Sequence, residues 1–140
     1  MIRINRETDY SFRVILALSK AGENARLSTA DIQKNMQIPI SFLHRIIASL
    51  ARNNIVKTFP GREGGVQLAR SPKNITLLDI YEAVEGPIQL SACLVHDSDC
   101  PLNPACPVHN CLDQVQKAII RELKSVHFDG FQKESPAILP

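Results

Sequence analysis

Four cysteines carry most of the chemistry that can be read from this 140-residue chain, and they are crowded together. Cys93, Cys100, Cys106 and Cys111 fall within 19 residues at a spacing of Cys-x6-Cys-x5-Cys-x4-Cys, and the rest of the chain has none. Thiolates are soft ligands and nucleophiles, so such a group points to iron–sulfur, zinc or redox chemistry. Zinc ribbons and fingers take ligands in pairs from tight Cys-x2-Cys knuckles, and those pairs are absent. The wider spacing favours a larger object reached from several points of a wrapping loop, which describes an iron–sulfur cluster. Zinc and redox-active thiols are the alternatives. Pro101, Pro104 and Pro107 stiffen the loop.

The N-terminal run MIRINRETDYSFR is charged and lacks the long apolar core of a signal peptide. No stretch approaches the roughly 18 apolar residues that span a bilayer. A cytoplasmic protein with no membrane partner is expected, and there disulfides are disfavoured.

The charge is as lopsided as the cysteines. The net charge of +2 hides two unlike halves. Residues 1–74 hold 12 Lys+Arg against 5 Asp+Glu, and residues 75–140 hold 4 against 9. A basic half without cysteines precedes an acidic half that contains them all. This asymmetry predicts a polyanion-binding domain over 1–74 and a second region, 75–140, with a different task.

The elements that must position these residues follow from periodicity. Tyr10, Val14, Ala17 and Leu18 give a first helix, from about Thr8 to Lys20, one apolar face. Ser28 opens a second helix that ends near Met36. Pro39 forbids its continuation, and Ser41 is the expected cap of a third helix reaching about Asn53, with Phe42, Ile46, Ile47 and Leu50 inward. Two helices joined by a tight turn match a helix-turn-helix. Ile55 to Phe59 and Val66 to Ala69 then read as strands around the turn Pro60 to Gly65. A hairpin directly after a helix-turn-helix is a wing. Thr76 caps a helix over Leu77 to Val84, stopped by Gly86-Pro87. The cysteine loop spans about Leu90 to Cys111. A last helix runs from Leu112 to about Val126, where Leu112, Val115, Ile119, Leu123 and Val126 form a heptad-like seam suited to a partner helix. From Phe128 to Pro140 little pattern is visible. The predicted class is mainly α with a small β-hairpin, a winged helix-turn-helix with a long C-terminal dimerisation helix.

On this reading the third helix enters the major groove with its N-terminal residues against base edges. Ser41, His44 and Arg45 are the polar residues of its first turns, and Arg45 suits a guanine edge or a phosphate. Ser28 and Thr29 begin the second helix, whose backbone N–H groups suit a phosphate. Arg62, at the wing tip, is a candidate for a minor-groove or phosphate contact. Any one of these arginines alone reads equally well as a solvated surface charge. Together, on a basic winged helix-turn-helix, they favour double-stranded DNA as partner.

Several runs make the resemblance specific. They are Arg6-Glu7-Thr8-Asp9-Tyr10 with Arg13, then Gly64-Gly65-Val66-Gln67-Leu68-Ala69-Arg70, then Ile75 to Ile80, Glu82 to Pro87, and the loop with Cys93, Cys100 and Cys106. Over nearly its whole length the chain resembles the Rrf-two family of bacterial winged-helix repressors, which includes iron–sulfur assembly regulators, nitric-oxide sensors and iron-responsive regulators. The resemblance implies a homodimer whose last long helix crosses to the partner. It also implies an iron–sulfur cluster, [2Fe–2S] or [4Fe–4S], held by Cys93, Cys100 and Cys106 with a fourth ligand that varies between members. Here Asp9 matches the nitric-oxide-sensor type, His109 the assembly-regulator type, and Cys111 is a thiol that the usual pattern lacks. Thr8-Asp9 with Arg13 favours Asp9. His96, Asp97 and Asp99 are expected to face solvent. The wing departs from many relatives, which place an arginine just before the glycine where this chain has Pro60, so Arg62 is the substitute.

The function so implied is a DNA-binding transcriptional regulator, a repressor, that senses iron–sulfur status, nitric oxide or redox state. The rival is a winged-helix regulator that responds to oxidants or small molecules through thiols without a cluster. Catalysis is not expected: the chain has no His-Glu-x-x-His, no phosphate loop and no Cys-x-x-Cys.

Overall fold

A computed structural model describes residues 3–96 and 100–131. Helix α1 spans Arg6–Ala21 and starts earlier than its apolar period, because Asn5 caps it by accepting the Thr8 N–H at 2.8 Å. It buries Val14, Ile15, Ala17 and Leu18. Helix α2 spans Thr29–Met36, with the Ser28 hydroxyl accepting the Asp31 N–H at 3.0 Å. It ends at Gln37, which is left-handed at φ 53°. Helix α3, Ile40–Arg52, corrects one expectation. Its N-cap is Pro39, not Ser41, and no side chain caps it. Ile40 directly after the proline is already helical, so Ser41 lies inside the first turn rather than at its cap. Leu43, Ile46, Ile47 and Leu50 face inward, and Phe42 is only partly buried.

The wing is the expected antiparallel pair. Strand β1, Val56–Phe59, pairs with β2, Gly65–Leu68, from Val56↔Leu68 to Phe59↔Gly65. Leu27 adds a third, one-residue rung by exchanging both backbone hydrogen bonds with Val66, at 2.9 and 2.8 Å. This rung explains Gly65, and the tight wing turn explains Gly64. A Cβ on Gly65, whose φ is +146°, would sit 2.6 Å from the Leu27 carbonyl oxygen, and one on Gly64 would sit 2.0 Å from that of Phe59.

Helix α4, Leu77–Glu85, opens with a reciprocal capping box between Thr76 and Asp79. Helix α5 spans Pro107–Ser125, five residues earlier than the apolar seam indicated. Pro107 occupies its first position and Cys106 its N-cap. The chain then turns back. Leu77 N–H donates to the Val126 carbonyl at 3.1 Å, Phe128 N–H donates to Ile75 at 3.0 Å, and a 3-10 turn follows over Phe128–Phe131.

Phe128 lies in a stretch without visible pattern, yet it is 1% exposed and sits in the same core as Val14, Leu43, Val66 and Ile80. Residues on both sides of position 74 therefore share one core. No helix among the described residues is long and apolar enough to cross a membrane. Phe128→Ala should lower the unfolding free energy by about 3–5 kcal/mol, measured by denaturant titration, because the cavity opens at the centre of the fold.

Candidate nucleic-acid interface and cysteine loop

Ser41, His44 and Arg45 are exposed on α3, spaced three and four apart and hence on one face. Ser41 has no capping duty, which frees its hydroxyl. Arg45 is not a bare surface charge. Its guanidinium lies 3.6 Å from the Glu7 carboxylate of α1 and 5.0 Å from the centroid of the Phe42 ring. A groove of about 240 Å³ separates the start of α2 from the wing, with Ser28, Thr29 and Arg62 among its lining residues. The structure thus brings these three sequence-selected residues together beside α3, whose Ile47 also lines the groove.

Arg26 was not selected from the sequence. Its guanidinium stacks 3.6 Å from the centroid of the Phe59 ring, at the turn end of the wing. Nothing in the spacing of 26 and 59 announces this contact, because the Leu27–Val66 rung creates it. Another unforeseen group ties α1 to α4. The Thr8 hydroxyl, fully buried, donates to the Glu85 carboxylate at 2.7 Å. Tyr81 hydrogen-bonds the same carboxylate, and burial, together with that acid, raises its hydroxyl pKa above the usual tyrosine value.

The four cysteines are all free thiols. Cys93 lies on a 3-10 turn, Ala92–Leu94, with its Sγ 3.1 Å from the Ser91 Oγ. Cys93, Cys100 and Cys106 are half-buried and Cys111 is exposed. The early start of α5 corrects the extent of the loop: His109 and Cys111 belong to the first turns of that helix. The Leu90 N–H donates to Gln116 Oε1 at 2.9 Å and fastens the loop entrance to α5. Asp9 is on the first turn of α1, paired with Arg13 at 2.8 Å. His96 is exposed, whereas Asp97 and Asp99 lie outside the described residues. The donor set suits iron in kind, three partly sheltered soft thiols with His109 close in sequence and Asp9 distant on α1. Among the described residues, no three His, Cys, Asp or Glu side chains are already gathered around one point.

α5 has no buried residue, although it is 19 residues long. Its Ile119 and Leu123 line a groove of about 330 Å³ with Ile4, Tyr81 and Ile88. Val115 is 49% exposed.

The model of the Rrf2 family, described as an iron-dependent transcriptional regulator, matches residues 4–134. The chain belongs to the Rrf2 family. It is therefore a winged-helix transcriptional regulator and not an enzyme. Protein aau3 of Rhizobium meliloti (strain 1021) is 30% identical over 139 residues, 98% of this chain and 89% of that protein. The HTH-type transcriptional regulator NsrR of Geobacillus kaustophilus is 28% identical over 123 residues, 87% of this chain and 84% of the relative. Among solved structures, CymR, the global cysteine regulator of B. subtilis, superposes with a TM-score of 0.77 at 21% identity, covering 96% of this chain and 99% of its own. The IscR of T. potens gives 0.74 at 21% identity, covering 99% and 93%. At these identities the two structures establish the Rrf2 fold alone.

The Tyr81 environment gives a test that needs no ligand. An unfolded tyrosine titrates near pH 10. The fold keeps Tyr81 neutral to higher pH, so its contribution is intact below about pH 10 and is lost as the pH climbs through the raised value. Denaturation midpoints should fall above about pH 10, and Tyr81→Phe should make that fall shallower.

Proposed function

We propose that this protein is a homodimeric repressor that binds double-stranded operator DNA through residues 1–74 and senses iron–sulfur status, nitric oxide or redox state through residues 75–140. The observation that carries the reading is the set of free thiols, three of them half-buried on or bordering a loop fastened to α5 and the fourth on α5 itself. Cys93, Cys100 and Cys106 would hold an iron–sulfur cluster, with Asp9, His109 or Cys111 as the fourth ligand. When bound, such a cluster supplies an iron centre that reacts with nitric oxide or oxygen and is lost when iron is scarce.

The protein's own residues do the rest. Ser41, His44 and Arg45 present donors to base edges and phosphates. Ser28 and Thr29 place the start of α2 against a phosphate, and Arg62 brings a cation to the wing side. The apolar seam of α5 takes the partner's helix, which covers residues a single chain leaves open. A two-fold pair of recognition helices then meets successive major grooves, roughly 34 Å apart. The loop controls affinity by stabilising one arrangement of the dimer. A 100-fold change in affinity needs only about 2.7 kcal/mol of such coupling.

A second reading has one observation in its favour. Cys111 is exposed on the first turns of α5, at the edge of the proposed dimer seam, where oxidation would be felt directly. On that reading the thiols sense oxidants without a cluster.

Anaerobic native mass spectrometry separates the two. The wild type should show a dimer carrying iron and sulfide. Cys93→Ser, Cys100→Ser and Cys106→Ser should lose them, and among Asp9→Ala, His109→Ala and Cys111→Ser the true fourth ligand should reduce retention. A colourless dimer with full, oxidant-sensitive DNA affinity would replace the cluster reading with the thiol one. Val115→Glu tests the seam: gel filtration should show a dissociated chain, and DNA affinity should drop with the loss of the second half-site.

A further inference from the structure

Arg45, the residue of α3 best suited to a guanine edge or phosphate, is held from two sides. Four side chains form a ladder across the junction of α1 and α3. The Arg13 guanidinium lies 5.1 Å from the Tyr10 ring, Tyr10 meets Phe42 edge-on at 5.3 Å, and Phe42 lies 5.0 Å from the Arg45 guanidinium. A carboxylate stands at each end, Asp9 on Arg13 at 2.8 Å and Glu7 on Arg45 at 3.6 Å. The Asp9 end is anchored further, since Arg13 also donates to the Met36 carbonyl at 3.3 Å. The Glu7 end is looser, and Arg45 keeps 61% of its side chain exposed.

We propose that Glu7 is a specificity-determining residue of the DNA interface, because its carboxylate occupies Arg45 and must be displaced before Arg45 can bond DNA. The inference rests on the DNA-binding reading of α3 given above. Its physical basis is a comparison of partners. A lone phosphate offers Arg45 a contact of the same kind that Glu7 already supplies, an ion pair between partly hydrated groups. Exchanging one for the other gains little, and it leaves the Glu7 carboxylate unpaired near the DNA backbone. A guanine in the correct register offers two hydrogen bonds, to O6 and N7, and the rest of the interface closes around it. Glu7 therefore weakens random-sequence binding more than operator binding. It widens the ratio on which a regulator depends among many competing sites.

The test is a double-mutant cycle on the full-length dimer. Fluorescence anisotropy would measure binding to a 30-base-pair random-sequence duplex and to a duplex selected by the wild type from a random pool, each across a salt series. Glu7→Gln should bind the random duplex about threefold to fivefold more tightly at low salt, the range expected of an exposed ion pair. Its salt slope should steepen by about 0.9, one additional phosphate contact. The ratio of selected to random affinity should fall. In an Arg45→Gln background the same Glu7→Gln change should have little effect. An equal gain in both backgrounds would show that Glu7 acts only as a distant charge, and no gain in either would show that it does not restrain Arg45; either result overturns the proposal. If the wild type shows no salt-dependent affinity for any duplex, the DNA reading of α3 fails and this inference fails with it.

Discussion

A hydroxyl that has lost contact with water must find an acceptor, and in this fold one such bond joins two halves of the chain. Thr8 is fully buried in the first turn of α1, and its hydroxyl donates across to the Glu85 carboxylate at the end of α4. The residues on either side of Thr8 point elsewhere. Glu7 reaches Arg45 on α3, and Asp9 pairs with Arg13, which in turn holds the end of α2. One turn of helix thus fixes the positions of three others. Helix α3, the turn before it and the helix leading to the cysteine loop are all referred to the same few residues. Asn5 sets where that turn begins.

Much of this architecture is legible in the sequence because it rests on local chemistry. Ser28 and Thr76 cap the helices they precede, and the Gly64-Gly65 pair marks a turn that admits no Cβ. Legibility ends where a position depends on a distant partner or where two local rules compete. Ser41 looks like a cap, yet Pro39 already starts the helix. The apolar seam of α5 begins at Leu112, but Pro107 starts the helix without needing an apolar residue, so His109 and Cys111 move from loop to helix. Phe128 follows the last heptad and belongs to no period; only the return of the chain onto Ile75 reveals it as core. Arg26 meets Phe59 through strand pairing that no spacing encodes.

The candidate site divides in the same way. The identity of the thiols and their separation from the basic half are properties of composition, visible at once. The exposure of Cys111 and the restraint on Arg45 are properties of packing. Charge asymmetry marks the half expected to meet a polyanion, but not that Arg45 is already engaged by an acid nearby.

The return of the chain after α5 has a further consequence for how such proteins diversify. Residues 127 and 128 close onto 75 and 76, so the segment that follows α5 supplies part of the core shared with α1, α2 and α3. A sensor half cannot be transplanted from one relative to another as a cassette cut at a single linker. Both crossings of the chain must be exchanged together, with complementary volumes at Ile75, Ile80 and Phe128. The cysteine loop is freer to be exchanged, since none of its described residues belongs to that core.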